Sequence, residues 1–461
     1  MTVTLKKPSN MSNEDSSALA PDVPSIVRGV IHDIRQKGDK AVRSYSEKFD
    51  NWSPKSFKLS QHEIDQIISK VPKQVLDDIK TVQHNVRTFA LEQRKSITDF
   101  EYEIRPGVHL GQKNIPINAV GAYVTILYIP EKSNLEAYTV FSLSYIPGGR
   151  YPLLASAHMT IVTAKAAGVK RVIACTPPIQ GEIPLSTIAA MHMAGADDIY
   201  ILGGVQAVTA MSIGTETIDK ADFIAGPGNS FVAEAKRQLF GEIGIDLPAG
   251  PTEVLIIADQ AADPALVATD LLSQAEHGPD TPAVLITNSR QVAEKTLVEV
   301  QRQLKILPTA GIASVSWDCF GEVHVVENLD EAYRLADKYA SEHVQILTTN
   351  PREALEKMSN YGALFLGDKT CVSYGDKCIG TNHVLPTKGA ARFTGGLWVG
   401  KYLKTVTYQE VTSAKESGEL GLLCGRAARV EKFEGHARSG DIRASNFLNK
   451  SFDWLEEDAK T

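Results

Sequence analysis

The chain has few of the features that assign a function quickly. Its five cysteines, Cys175, Cys319, Cys371, Cys378 and Cys424, are scattered and odd in number, and no two form a C-x-x-C pair. That is not a disulfide framework; it fits free thiols in a reducing compartment, so a cytoplasmic location is expected. No apolar run approaches the roughly 20 residues that span a bilayer, which leaves no expectation of a membrane partner. The opening MTVTLKKPSNMSNEDSSALAPDV lacks a hydrophobic signal core and reads as a loose polar arm over residues 1–20. Positive charge is not in excess: the formal net charge is -7, which argues against nucleic acid as a partner. No G-x-G-x-x-G follows a strand-like run, so no motif announces a dinucleotide site.

What is present is enough chain, 461 residues with 43% hydrophobic content, for two or more domains with their own cores. Residues 21–120 read as a helical, charged region, with Ile26, Val27, Val30, Ile31 and Ile34 at helical spacing. After Tyr151, Ala-rich helical stretches alternate with β-branched runs: RVIACT, DIYILGG, DFIAGPGN, EVLIIAD, PAVLIT and ASVSW. This alternation predicts an α/β fold of two Rossmann-like parallel-sheet modules, over 121–250 and 251–390, with a C-terminal helical extension over 391–461. Two turns between strand and helix, Gly203-Gly204-Val205-Gln206 and Gly226-Pro227-Gly228-Asn229, could aim backbone N–H groups at a ligand or could be tight turns with Asn229 as a helix cap.

One helix is chemically odd. Asp263 and Pro264 predict its start and Gly278-Pro279 its end, with Gln274 and His277 three residues apart on one face. Gln274 falls in the register of Val267 and Leu271, where an apolar side chain belongs. A buried amide needs partners, supplied by hydrogen bonds or by a metal ion.

Five segments, SQAEHG, GPGNSFVAEAKRQLFG with IDLPAGPTEVLIIAD, ASEHVQI, GDKCIGTNHVLPTKG and EKFEGHA, occur in an order that resembles the histidinol dehydrogenase family. The resemblance implies a zinc-dependent, NAD-linked alcohol dehydrogenase, one zinc per subunit, working as an interlocked homodimer on a small-molecule alcohol. Carried over residue by residue, the metal ligands are Gln274, His277, Asp376 and His436. The catalytic pair is Glu342 and His343, with His343 taking the alcohol proton and Glu342 activating water in any second oxidation. Substrate contacts are Thr252, Gln274, His277, His343, Asp376, His383, Glu431 and His436, although His383 also reads as a core histidine. NAD contacts are Gln206, Asn229 and a tyrosine of a G-x-Y-V-P-G-G loop. The family reaction carries L-histidinol through the aldehyde to L-histidine with two NAD.

The pattern breaks in two places. Family members that oxidise histidinol carry a carboxylate four residues before the metal-binding Asp, where this chain has Val372, and His436 is followed by Ala437-Arg438-Ser439. Both changes resemble a branch acting on small hydroxylated sulfonates or polyols, with Arg438 either an anion clamp or a surface charge. The tyrosine loop is split: Gly121-Ala122-Tyr123 and Ile146-Pro147-Gly148-Gly149 are separated by VTILYIPEKSNLEAYTVFSLSY, residues 124–145. Removing it restores GAYIPGGRYP, so the segment reads as a gene-model artefact; Tyr123 and Tyr145 both qualify as the NAD tyrosine, with Tyr123 preferred. A genuine insertion there would favour an inactive paralogue.

Overall fold

A computed structural model describes residues 2–8, 22–124, 126–127, 151–152, 154–247 and 250–457. Tyr145, most of the segment 124–145 and most of the terminal arm lie outside the described residues. The chain divides into two compact units, one of residues 1–94 and 116–402 and one of residues 95–115 and 403–461.

The larger unit is built on two parallel sheets. The first comprises β4 (Ala119–Tyr123), β7 (Arg171–Thr176), β8 (Asp198–Ile201), β9 (Phe223–Ala225) and β10 (Gly244–Ile245), in the spatial order β10-β9-β4-β7-β8, with every pairing parallel. Val172, Ile173, Ala174 and Cys175 are all fully buried, as expected for a strand covered on both faces. The N-terminal helix Val23–Lys37 covers one side of this sheet. Val27, Val30 and Ile34 of the anticipated stripe enter its core, whereas Ile26 is 40% exposed and Ile31 packs at the edge. Beyond β4 the backbone of β5 (Ile126–Leu127) pairs antiparallel with β6 (Tyr151–Pro152), so the two ends of the intervening segment meet.

The second sheet contains β11 (Val254–Ala258), β12 (Ala283–Thr287), β13 (Gly321–Val325), β14 (His343–Leu347) and β15 (Ala363–Leu366), ordered β13-β12-β11-β14-β15 and parallel throughout. Counted within each sheet, both follow the order 3-2-1-4-5. The helices Pro264–Ala275 and Ala310–Phe320 bury Leu271 and Trp317 on one face, and Leu329–Tyr339 buries Tyr333 on the other. ASVSW, anticipated as a strand, is the interior of Ala310–Phe320; the strand is the following GEVHV, which pairs with β12. The edge of β13 is covered by β1 (Val3–Lys6), antiparallel, with Lys6 over the Trp317 ring and Thr4 bonded to His324. Part of the anticipated loose arm is therefore a strand.

The smaller unit joins a three-stranded sheet of β2 (Phe100–Arg105), β3 (Val108–Pro116) and β16 (Leu403–Val411) to the helix pair Ala414–Val430 and Glu434–Leu448. The helical reading of 21–120 stops short here: FEYEIR alternates side chains with period two and forms β2 instead. Gly421 and Gly440 let the two helices touch backbone to backbone, since a Cβ on either would lie within 2.5 Å of the other's carbonyl oxygen.

Candidate functional site

The parallel register of β11 against β14 pairs Val254 with His343. Thr252-Glu253 and Glu342-His343, ninety residues apart, are thereby side by side at the amino ends of their strands. Glu342 is 5% exposed, and its Oε2 accepts from Thr252 Oγ1 at 2.5 Å and from the Glu253 N–H at 3.1 Å. His343 is 2% exposed, with Nδ1 3.0 Å from the Glu253 carbonyl oxygen. A carbonyl can only accept, so Nδ1 carries a proton and Nε2 is left as the free ring nitrogen. That Nε2 is buried and has no hydrogen-bond partner; Asp376 Oδ1 lies 3.6 Å from it. Burial works against charge on this imidazole, but the Glu342 and Asp376 carboxylates outweigh it and push it up to about 10.

The odd helix forms as anticipated, with Asp263 accepting from the Ala265 N–H and Pro264 at its first position. It runs back along the sheet, which brings its C-terminal end to the amino edge of the strands. Gln274 is 2% exposed and donates to Thr252 Oγ1 at 2.5 Å, and Thr252 relays that contact to Glu342. His277 Nε2 lies 3.9 Å from Asp376 Oδ2. Asp376 sits in the short helix Val372–Lys377; burial would raise its carboxyl, yet His343, His383 and His277 together hold it far below the ordinary range. His383 Nδ1 is 3.0 Å from the Asp376 carbonyl oxygen, which fixes that ring against the same turn. Thr252, Gln274, His277, Glu342, His343, Asp376 and His383 are thus one connected constellation.

Among the described residues no group of three or more His, Cys, Asp and Glu side chains is set to hold a metal ion. The larger unit does supply an imidazole and a carboxylate side by side without a hydrogen bond, an orphaned nitrogen on His343 and an amide oxygen on Gln274. Nitrogen and oxygen donors of these types suit zinc and related divalent ions. Glu431 and His436 belong to the smaller unit, where both are exposed at the turn between its two helices, with His436 against the Phe433 ring. Arg438, on the same helix as His436, lies over Trp454 and 3.5 Å from Glu434.

The NAD candidates fall on the first sheet. Tyr123 ends β4, is 4% exposed, and its hydroxyl accepts from the Gly204 N–H at 3.0 Å. Gln206, fully buried, donates to Asp50 Oδ2 at 2.8 Å and leaves its own Oε1 unpartnered. Asn229 caps the helix Ser230–Leu239, its Oδ1 accepting from the Phe231 and Val232 N–H groups. Gly226, at φ 122°, lets its turn pass against β4; a Cβ there would lie 2.0 Å from the Tyr123 carbonyl oxygen.

Sequence reasoning missed two carboxylates. Glu253 accepts the Glu342 N–H at 3.2 Å, and burial together with the Glu342 charge lifts it to about 7. Asp50 is lifted to about 6 by burial, opposed by Gln206. Glu253 sits between Thr252 and a fully apolar strand, a polar residue at a strand entrance that could have drawn notice; nothing local marks Asp50.

The site is a buried imidazole flanked by carboxylate, imidazole and amide groups on a parallel α/β scaffold, and the chain's relatives place it among oxidoreductases of the dehydrogenase kind. The family model for histidinol dehydrogenase matches residues 13–130 and 141–444, so the chain belongs to the histidinol dehydrogenase family. The unmatched residues 131–140 fall inside the segment 124–145. A histidinol dehydrogenase homolog of Shouchella clausii is 56% identical over 425 residues, covering 92% of this chain and 95% of that protein. The sulfopropanediol 3-dehydrogenase of Ruegeria pomeroyi is 43% identical over 453 residues, covering 97% and 98%. The crystal structure of histidinol dehydrogenase from Elizabethkingia anophelis superposes with a TM-score of 0.84 at 34% identity, covering 94% of each chain.

Proposed function

We propose that the protein is an NAD-linked, metal-assisted alcohol dehydrogenase with His343 as its base. The observation that carries this reading is the state of His343: Nδ1 is tied to a carbonyl, and Nε2 is buried and unpartnered. Gln274, His277 and Asp376 would hold the divalent ion, zinc by correspondence with the family, and His436 is the fourth member that the family pattern adds. A cation bound there would supply Lewis-acid stabilisation of the developing alkoxide. His343 Nε2 is placed to take the alcohol proton, and a bound nicotinamide would supply the hydride acceptor. A cation held by Asp376 would withdraw one of the charges that raise His343, which would favour the unprotonated ring that a base requires. Glu342, held by Thr252 and the Glu253 N–H, is the group to activate water if the aldehyde goes on to acid.

A small hydroxylated sulfonate or polyol is preferred over L-histidinol as substrate. Val372 supports this: it is 1% exposed within an apolar cluster, at the position where histidinol-oxidising members have a carboxylate. The shared 3-2-1-4-5 strand order supports reading each sheet as a Rossmann-like module, with NAD at the carboxyl edge of the first. The smaller unit exposes Phe100, Tyr102, Leu423, Val430 and Phe433, each at least 52%, which supports a homodimer that covers them. Among the described residues no helix is long and apolar enough to cross a membrane, and the five free cysteines favour the cytoplasm.

The test is metal analysis and NADH formation on one preparation, over a panel that includes L-histidinol and a dihydroxypropane sulfonate. The expected outcome is NAD-dependent oxidation of the sulfonate by a metal-containing protein. Metal-dependent turnover without NAD would make it a hydrolase, and ordinary efficiency on histidinol would overturn the substrate preference.

A further inference from the structure

The helix Ser230–Leu239 buries Phe231, Val232, Ala235, Lys236 and Leu239. Lys236 is thus a lysine in an apolar stripe, 3% exposed and outside the constellation already described. Side chains on a helix lean toward its amino end, so the four-carbon stem carries Nζ back to the turn Gly226-Pro227-Gly228-Asn229 that precedes the helix. There Nζ donates to Gly226 O at 3.1 Å and forms an ion pair with Asp246 Oδ1.

Asp246, 4% exposed, follows β10. Its Oδ2 accepts the Gly226 N–H at 2.8 Å, and its Oδ1 also accepts the Leu247 N–H at 2.7 Å. The pair therefore holds both backbone polar groups of one glycine. The other glycine of the turn is fixed by packing: a Cβ on Gly228 would lie 2.3 Å from Val232 Cγ1.

Replacing a buried ion pair by well-packed apolar side chains often costs no stability, so stability alone gives no reason for two buried charges here. What the pair supplies is geometry. Of the N–H groups in the turn, that of Gly226 is taken by Asp246 and Pro227 has none, while those of Gly228 and Asn229 have no hydrogen-bond partner among the described residues. Gly226 is buried, Gly228 half-buried and Asn229 exposed, beyond the carboxyl end of β9. The clamped part of the turn is the inner part, and the part left unpaired is the one a ligand can reach.

We propose that Lys236 and Asp246 are positioning residues for NAD: they fix the Gly226 turn so that Gly228 and Asn229 meet the cofactor in a set place, and do not touch it themselves. This rests on the reading of Asn229 as an NAD contact. A turn already held in its bound shape loses less free energy on ordering, which is read out as cofactor affinity.

The test measures NAD binding by calorimetry, beside steady-state kinetics and metal analysis, in the wild-type protein, Lys236→Met and Lys236→Arg. Lys236→Met keeps an apolar stem and leaves the Gly226 carbonyl without its donor. Its Kd and KM for NAD should rise about 10-fold while kcat, the KM for the alcohol and bound metal stay within about 2-fold of wild type. Lys236→Arg, which keeps a charged donor, should recover part of the loss. Equal losses in every parameter, or unchanged NAD affinity in Lys236→Met, would mean a purely structural role and overturn the proposal. A second measurement needs no variant. In residue-resolved amide hydrogen exchange of the wild type, Gly226 should be protected without NAD, and adding NAD should slow exchange at Gly228 and Asn229. Fast exchange at Gly226, or no change at Gly228 and Asn229 while calorimetry shows NAD bound, overturns the proposal alone; absence of any NAD binding to the wild type overturns the cofactor reading and the proposal with it.

Discussion

The two parallel sheets of the larger unit share one strand order but carry their candidate site residues at opposite edges. On the first, Tyr123, the Gly203-Gly204 turn and Gly226 all follow the carboxyl ends of strands, the usual location for ligands in open α/β sheets. On the second, Thr252, Glu253, Glu342 and His343 stand at the amino ends. Chain continuity explains the inversion. Only residues 246–253 link the end of β10 to the start of β11, so the carboxyl edge of one sheet leads within at most about 30 Å of extended chain to the amino edge of the next. The two edges also differ in chemistry. Polar side chains on the first are mostly spent on the protein itself, Tyr123 on Gly204, Asn229 on its own helix and the Gln206 nitrogen on Asp50, although the Gln206 oxygen has no partner. The second edge keeps a buried nitrogen without a partner. The first edge presents turns and backbone where a ligand could lie, the second a cluster of ionisable side chains.

The contrast between the two edges is tested most severely at His343. Replacing it with Gln should lower kcat by about 10²–10⁴ while KM for NAD changes little, measured by steady-state kinetics; a loss confined to KM would move the base elsewhere. His277→Ala should lose bound metal and activity together, the latter by roughly 10²-fold or more, as read by elemental analysis beside the assay. Activity lost with metal content intact would remove His277 from the ligand set.

Two further variants on the first sheet are expected to act on stability. Gly226→Ala forces a Cβ against the Tyr123 carbonyl at a φ that side chains avoid, and thermal or denaturant unfolding should register a loss of about 2–3 kcal/mol. Asp50 gives the smallest effect. Its folded carboxyl, lifted to about 6, binds a proton more tightly than in the unfolded chain, so its burden on stability is absent below about pH 4, grows as pH rises to about 6 and is constant above. Asp50→Asn should therefore gain of the order of 1–2 kcal/mol near neutral pH and flatten the pH dependence of unfolding between those limits. A destabilised Asn variant would show that the carboxylate has a partner worth more than its burial costs.

Much of this was legible in sequence because it is local. Asp263 and Pro264 start the helix that carries Gln274 and His277, and the apolar runs RVIACT and EVLIIAD are strands. Misreadings came where a partner decides. VTLK becomes β1 because the edge of β13 and the Trp317 ring receive it. ASVSW, though β-branched, is helical because its apolar face packs on the second sheet through Trp317. FEYEIR carried a period-two signal that its glutamates masked, and the buried pair Gln83 and His158, seventy-five residues apart, carried none.

By itself the sequence determined the helix starts, the alternation of strands with helices and the spacing that puts Gln274 and His277 on one helical face, because each depends on backbone geometry within a few residues. That Thr252 and Glu253 grip Glu342 and His343, and that Gln83 meets His158, emerges only once the chain is folded. Sheet register and helix packing are set by the burial of whole faces, and no short window of sequence contains that information.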